Sequence, residues 1–217
     1  MSSTATQTGE LAPYNLHLFL PIQAMTTSMR KFLTCFTMCI SAATAMPASP
    51  ALAAQMSALE APVAAASIEH AFSPDDGAEA LVLKVINTSV ASIRLAAYSF
   101  NSPTIVAALL AAKNRGVDIK VLADAKRNER RNSMSALNAL VQAGIPVRTI
   151  SVYAMHHDKY IVADGDTVQN GSFNYSKDAA TSNSENVIVL WHQPPLAASF
   201  LQHWEDRWKK GVAYPSR

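Results

Sequence analysis

Two apolar runs, IRLAAYSF (93–100) and VDIKVLAD (117–124), bracket SPTIVAALLAAKNRG, which has Ser102 at a helix N-cap position and Pro103 at the first helical position. The middle of that segment is apolar throughout, and Gly116 ends it. Strand, helix and strand joined by loops this short form a βαβ unit, the pattern of α/β proteins. The surrounding chain keeps the rhythm. Helical patterns are predicted over 78–89 and over 133–143, the latter stopped by Gly144, and strands over 146–150, 159–163, 167–172 and 187–191. The segment PPLAASFLQHWEDRWKKG (194–211) reads as a last helix with Phe200, Leu201, Trp204 and Trp208 on its inner face.

The first quarter of the chain does not read as core. Met29-Arg30-Lys31 is a short basic region, Phe32 to Ala45 is apolar, and Ala51-Leu52-Ala53 fits a small-residue cleavage site. Residues 1–53 are therefore expected to be a leader with a signal peptide cut after Ala53, with Met25 or Met29 as alternative translation starts. A membrane span is the rival reading, but the run falls short of the ~20 apolar residues a span requires, and Pro47 and Pro50 close it. An Ala-rich linker (54–66) then leads to one domain over 67–217, and the expected location is periplasmic or secreted, with no stable membrane association once the signal is removed.

Both cysteines, Cys35 and Cys39, lie in the leader, so the processed chain is expected to use neither disulfides nor thiol chemistry. The leader also holds Arg30, Lys31 and Glu10, leaving 16 Lys plus Arg against 15 Asp plus Glu. So even a balance names no partner by itself. Clustering is more informative: Lys126, Arg127, Arg130 and Arg131 form the one dense basic run, just after a predicted strand.

Polar chemistry concentrates in MHHDKYIVADGDTVQNGSFN (155–174). Asp164-Gly165 signals a tight turn between two strands. With those two residues as the loop, paired residue numbers sum to 329, His157 falls opposite Ser172, and His157, Lys159, Ser172 and Asn174 share a face. A three-residue loop shifts the register by one, and either choice brings the two ends together. His156 and Asp158 fall on the other face by alternation, which gives them a supporting role. Asp164 is read equally as a turn former and as a site residue.

An imidazole nucleophile, a compact cation and neutral hydroxyl and amide groups suit a tetrahedral anion whose charge is redistributed in the transition state. A metal site is the competing reading. Lys159 beside His157 would repel a cation, so no metal and no cofactor are expected.

The pattern His157-x-Lys159-x4-Asp164-x6-Gly171-Ser172-x-Asn174 resembles the signature of the phospholipase D superfamily, and NSENVIVLW (183–191) is similar to the segment that follows in its small single-motif bacterial endonucleases. The resemblance implies an α/β fold with a mixed β-sheet flanked by helices on both faces, a phospholipase D-like sandwich with one motif per chain. It also implies metal-independent phosphodiester cleavage through a phosphohistidine on His157. Lys159 and Asn174 would hold phosphate oxygens, Ser172 would support the histidine or the phosphate, and Glu185 would orient the imidazole. Asp164 would be more structural.

In-line attack places nucleophile and leaving oxygen on opposite sides of phosphorus, so a second acid must protonate the leaving group. One motif per chain then makes a two-fold homodimer with a shared active site the economical solution. His70, His192 and His203 are read as ordinary surface or core histidines, and His17 lies in the leader.

The favoured substrate is nucleic acid, DNA ahead of RNA, with Lys126, Arg127, Arg130 and Arg131 on backbone phosphates. The alternatives are a phospholipase D-type hydrolase of lipid head groups and a catalytically silent nucleic-acid-binding module. The complete motif speaks against the silent module.

Overall fold

The structure, a computed structural model, describes residues 65–215. The leader and most of the Ala-rich linker lie outside the described residues.

Among the described residues, eight strands form one sheet: β1 (Ser67–Ser73), β2 (Ser92–Ala97), β3 (Asp118–Asp124), β4 (Val147–Ile150), β5 (Lys159–Ala163), β6 (Thr167–Gly171), β7 (Glu185–Trp191) and β8 (Val212–Ala213). Five helices connect them: α1 (Ala78–Thr88), α2 (Pro103–Asn114), α3 (Arg131–Gln142), α4 (Lys177–Thr181) and α5 (Pro194–Lys210). The spatial order is β1-β7-β6-β5-β2-β3-β4-β8. β2, β3 and β4 run parallel, while β5 joins β2 antiparallel and carries the β6, β7 and β1 meander. The fold is thus α/β with a mixed sheet.

Period-two alternation divides the core between the two faces. Ile93, Leu95, Ile119, Val121 and Ile161 pack with Val82, Val85, Leu109 and Leu137 of the first three helices. Ala96, Leu122, Tyr160, Val162 and Val168 pack on the other face with Ala197 and Trp204 of α5. Strands so buried on both sides read as the near-continuous apolar runs seen in the sequence. Trp204 also donates its indole N–H to Leu95 O at 3.1 Å and stacks on Trp208, so both tryptophans belong to the packing of α5.

Helix caps follow the local signals. Ser102 accepts from Ile105 N at 3.3 Å with Pro103 opening α2. β2 stops at Ala97, three residues before the expected end, because Asn128 replaces a neighbouring strand. Its Nδ2 donates to Tyr98 O at 2.8 Å, and its Oδ1 accepts from Phe100 N at 2.9 Å. α3 begins at Arg131, two residues earlier than expected. β1, β8 and the single turn of α4 had no distinct signal in the sequence.

The hairpin register differs from the two-residue expectation. Ala163 pairs with Thr167 and Tyr160 with Asn170, so paired numbers sum to 330 and the loop is Asp164, Gly165 and Asp166. Asp164 and Gly165 take φ of 53° and 72°, as a primed turn requires. Asp166 is drawn out of the ladder: its carbonyl accepts from Gln193 N at 2.6 Å and its carboxylate sits 2.7 Å from His192 Nδ1. By alternation in this register, Lys159 faces Gly171, and Ser172 and Asn174 do not continue on the His157 face.

β6 ends where Gly171, at φ 153°, passes so close to β7 that a Cβ there would lie 2.1 Å from Asn186 O. At Gly165 a Cβ would meet nothing within 4 Å. Gly165→Ala should therefore cost only the left-handed strain, about 1 kcal/mol, whereas Gly171→Ala should lower stability by about 3 kcal/mol through forced separation of two backbones. Urea unfolding midpoints of the two variants check the difference.

Candidate active site

Strand directions assign the motif to one end of the sheet. The carboxyl ends of β2, β3, β4 and β6 and the amino ends of β5 and β7 all reach the same edge, following the parallel and antiparallel pairings. That edge therefore carries Tyr98, the 125–130 loop, His157, Lys159, Ser172, Asn174 and Glu185.

Lys159 opens β5 and is 7% exposed. Its Nζ donates to His157 O at 2.8 Å and lies 3.1 Å from His157 Nδ1 and 3.4 Å from Nε2. Burial lowers its pKa from the ordinary 10.5, opposed by the negative charges of Glu185 and Asp158. His157 itself is exposed, and its ring centroid lies 4.4 Å from that of Tyr98, tilted by 52°. Arg127 and Lys159 also rest over the Tyr98 ring, at 5.7 and 5.2 Å from its centroid. His157 and two cations thus meet on one tyrosine, which the sequence did not single out because it sits at the end of an apolar run.

Ser172 reaches the edge because the chain leaves the sheet after Gly171. Its Oγ donates to Glu185 Oε2 at 2.7 Å and accepts from Asn186 N at 3.0 Å. The other Glu185 oxygen accepts from Asn183 Nδ2 at 3.0 Å. Within one chain, then, Glu185 is bonded to Ser172 and Asn183 and not to the imidazole, and it acts on the site through its charge beside Lys159. Asn174 is half-buried, and its Oδ1 is buried with no hydrogen-bond partner among the described residues. The following Tyr175 anchors this segment: its carbonyl accepts from Asn101 N and Ser102 N, and its buried hydroxyl donates to Gln169 Oε1 at 2.7 Å.

The other face of the motif is occupied as alternation predicts. His156 is 3% exposed; its N–H donates to Asp124 Oδ2 at 2.8 Å, and burial pushes its imidazole pKa down against the opposing pull of Asp158 and Asp124. Asp158 Oδ2 lies 3.0 Å from His203 Nε2, tying the motif to α5. His203, read as an ordinary histidine, thus braces the motif strand. A cavity of about 390 Å³ reaches the motif from this side, lined by His157, Lys159, Asn170, Ser199, Phe200 and His203. A larger one of about 560 Å³ lies at the opposite end of the sheet, around Lys84, Asp166, Trp191 and His192, remote from the motif's imidazole and ammonium.

Asp164 belongs to that opposite end and not among the site residues. It follows the last residue of β5, about 16 Å from Lys159 at the usual rise per residue. Its carboxylate accepts from the backbone N–H groups of Val90, Ala91 and Ser92, at 3.0, 2.7 and 2.8 Å for the shortest contacts. Of the basic run, Arg127 is brought to His157 through Tyr98, while Lys126, Arg130 and Arg131 are exposed in the adjoining loop and helix start.

Comparison with known proteins agrees with this geometry. Residues 82–208 match the family model described as "Cardiolipin synthase, PLD-like domain". The chain belongs to the phospholipase D superfamily. It is 36% identical over 140 residues to a phospholipase D of Rickettsia bellii, covering 64% of this chain and 68% of that protein. It is 31% identical over 126 residues to a mitochondrial cardiolipin hydrolase of Chlamydomonas reinhardtii, covering 58% and 55%. Among solved structures, Nuc from Salmonella typhimurium, a phospholipase D family member, is 48% identical with a TM-score of 0.69, over 70% of this chain and 100% of that one. The chain is accordingly a phospholipase D-like phosphodiester hydrolase with the mixed-sheet fold of that family.

Two measurements test the assignments. Asp164→Ala should lower stability by about 2 kcal/mol through loss of charge-assisted hydrogen bonds, with kcat of the folded enzyme unchanged. Glu185 raises the Lys159 pKa, so Glu185→Gln should move the alkaline limb of the pH–rate profile to lower pH, because Lys159 then loses its proton earlier.

Proposed function

We propose that this phosphodiester hydrolase is an exported, metal-independent endonuclease that cleaves nucleic acid, DNA ahead of RNA, through a phosphohistidine on His157 in a homodimer with a shared active site. The observation that carries the reading is Arg127 on the Tyr98 ring beside His157, with the exposed Lys126, Arg130 and Arg131 in the same segment. A polyanion has phosphates on both sides of the scissile bond, so a cationic loop next to the nucleophile suits it.

In the reaction, an imidazole nitrogen of His157 forms a P–N bond as the P–O bond to the leaving oxygen breaks. The leaving oxygen takes a proton from His157 of the partner subunit. That second imidazole then takes a proton from water, whose oxygen attacks phosphorus and releases the first histidine. Lys159 neutralises non-bridging oxygens from a buried position where its charge is weakly screened, and Asn174 flanks the same edge. The Lys159 ammonium, 3.1 Å from His157 Nδ1, would repel a cation placed on that imidazole, which favours chemistry without a metal. Export is supported by the basic, apolar and small-residue order of residues 29–53.

Head-group hydrolysis is the second reading, favoured by the names of the Rickettsia and Chlamydomonas relatives. Against it, Trp204 and Trp208 of α5 are engaged in packing, so neither is offered to a lipid surface.

The enzyme should degrade plasmid DNA in excess chelator, and His157→Ala should reduce the rate by more than about a thousandfold; chelator-sensitive cleavage would overturn the mechanism. Head-group release from phospholipid vesicles at the same enzyme concentration separates the lipid reading. Wild type re-equilibrated with an equal amount of His157→Ala should show about one quarter of the activity expected from the total chains if the site is shared, against about one half for independent sites.

A further inference from the structure

We propose that Tyr98 is a positioning residue for the reaction: its ring sets the orientation of the His157 imidazole and holds Arg127 at the neighbouring phosphate position. This rests on His157 being the nucleophile.

An exposed imidazole needs something to choose its ring orientation, because misplacing an attacking atom by about 1 Å costs on the order of a hundredfold in rate. Hydrogen bonds among the described residues of one chain do not make that choice. Lys159 Nζ lies at nearly equal distances from the two ring nitrogens, 3.1 and 3.4 Å, so it grips the ring without distinguishing them. Glu185, the acid expected to orient the ring, is bonded to Ser172 and Asn183 instead. Among the described residues of one chain, the Tyr98 ring lies against the imidazole at 4.4 Å between centroids and tilted by 52°, a contact that restricts the imidazole plane.

Tyr98 is itself immobilised. Its carbonyl accepts from Asn128 Nδ2 at 2.8 Å, Asn128 is 2% exposed, and the same amide accepts from Phe100 N. The buried Asn128 also donates to Asp124 O at 2.8 Å, so the end of β2 and the basic loop move as one piece. Arg127 is held at both ends: its N–H donates to Asp124 Oδ1 at 2.7 Å, and its guanidinium rests over the Tyr98 ring. The Tyr98 hydroxyl makes no hydrogen bond among the described residues, so the ring face and not the oxygen carries the role. One aromatic side chain thereby ties a substrate cation to the nucleophile at a set separation, and Arg127 is the member of the basic run that reads the phosphate next to the scissile bond.

The test uses Tyr98→Phe, Tyr98→Leu, Tyr98→Met and Arg127→Gln in the full chain, with bis(4-nitrophenyl) phosphate and plasmid DNA as substrates. Tyr98→Phe should keep kcat on the small diester within about threefold, whereas Tyr98→Leu and Tyr98→Met should lower it about a hundredfold with KM little changed. On DNA, Arg127→Gln and Tyr98→Leu should each reduce the salt slope of binding by about one, and the double variant should add nothing further. In proton NMR of the folded variants, the two aliphatic replacements should move the His157 ring resonances and leave those of His192, at the other end of the sheet, in place. Unmoved His157 resonances, full activity in both aliphatic variants, or a Tyr98→Phe defect as large as theirs would overturn the proposal. Failure of the nuclease reading shows separately, as absent DNA cleavage with the small diester still hydrolysed. Failure of the nucleophile assignment shows as activity surviving His157→Ala.

Discussion

The site depends on the carboxylate of Asp124. At the end of β3, 4% exposed, it accepts from Arg127 N on one oxygen and from His156 N on the other. The basic loop and the approach to the motif, the latter 32 residues beyond Asp124, are thereby pinned to one strand end. Charge-assisted bonds to a buried carboxylate are strong, and losing the acceptor would strand two backbone donors. The adjacent Asn128 extends the clasp to Tyr98 and Phe100. Tyr175 completes it by bonding Asn101 and Ser102 from the segment that carries Asn174.

This arrangement puts polar groups where an open α/β sheet leaves a natural opening, beyond the carboxyl ends of its parallel strands. The antiparallel insertion of β5 beside β2 is what makes the location usable. It delivers the amino end of β5, with His157 and Lys159, to the edge where β2 and β3 finish. Alternation then sorts the motif: His157 and Lys159 face the cationic loop, while His156 and Asp158 face α5, where His203 braces Asp158. The same strand presents His157 and Lys159 on one side and packing on the other.

On the proposed reading of His157 as the nucleophile, one motif per chain at an exposed edge calls for an assembly of two chains. In the proposed dimer each chain would supply a cation-lined imidazole, since in-line displacement calls for two such groups on opposite sides of phosphorus. A proton donor fixed by two-fold symmetry needs no second motif in the same polypeptide.

Local signals are strong where a short segment determines its own geometry. Ser102 and Pro103 opened α2, the βα rhythm defined the class of fold, and the spacing of His157 and Lys159 put both on one face. Those features depend on dihedral preferences and on side-chain periodicity, which the sequence carries by itself. The tertiary structure decided the rest. A tether from Asp166 to residues 192 and 193 added a third residue to the hairpin loop and slipped its register, and strand direction sent Asp164 to the far end of the sheet, where it holds the backbone of 90–92. Tyr98 gained its place against His157 only through Asn128, thirty residues away in the chain. Long-range hydrogen bonds of this kind leave no periodic trace, since either partner alone is an ordinary residue in an ordinary strand or turn.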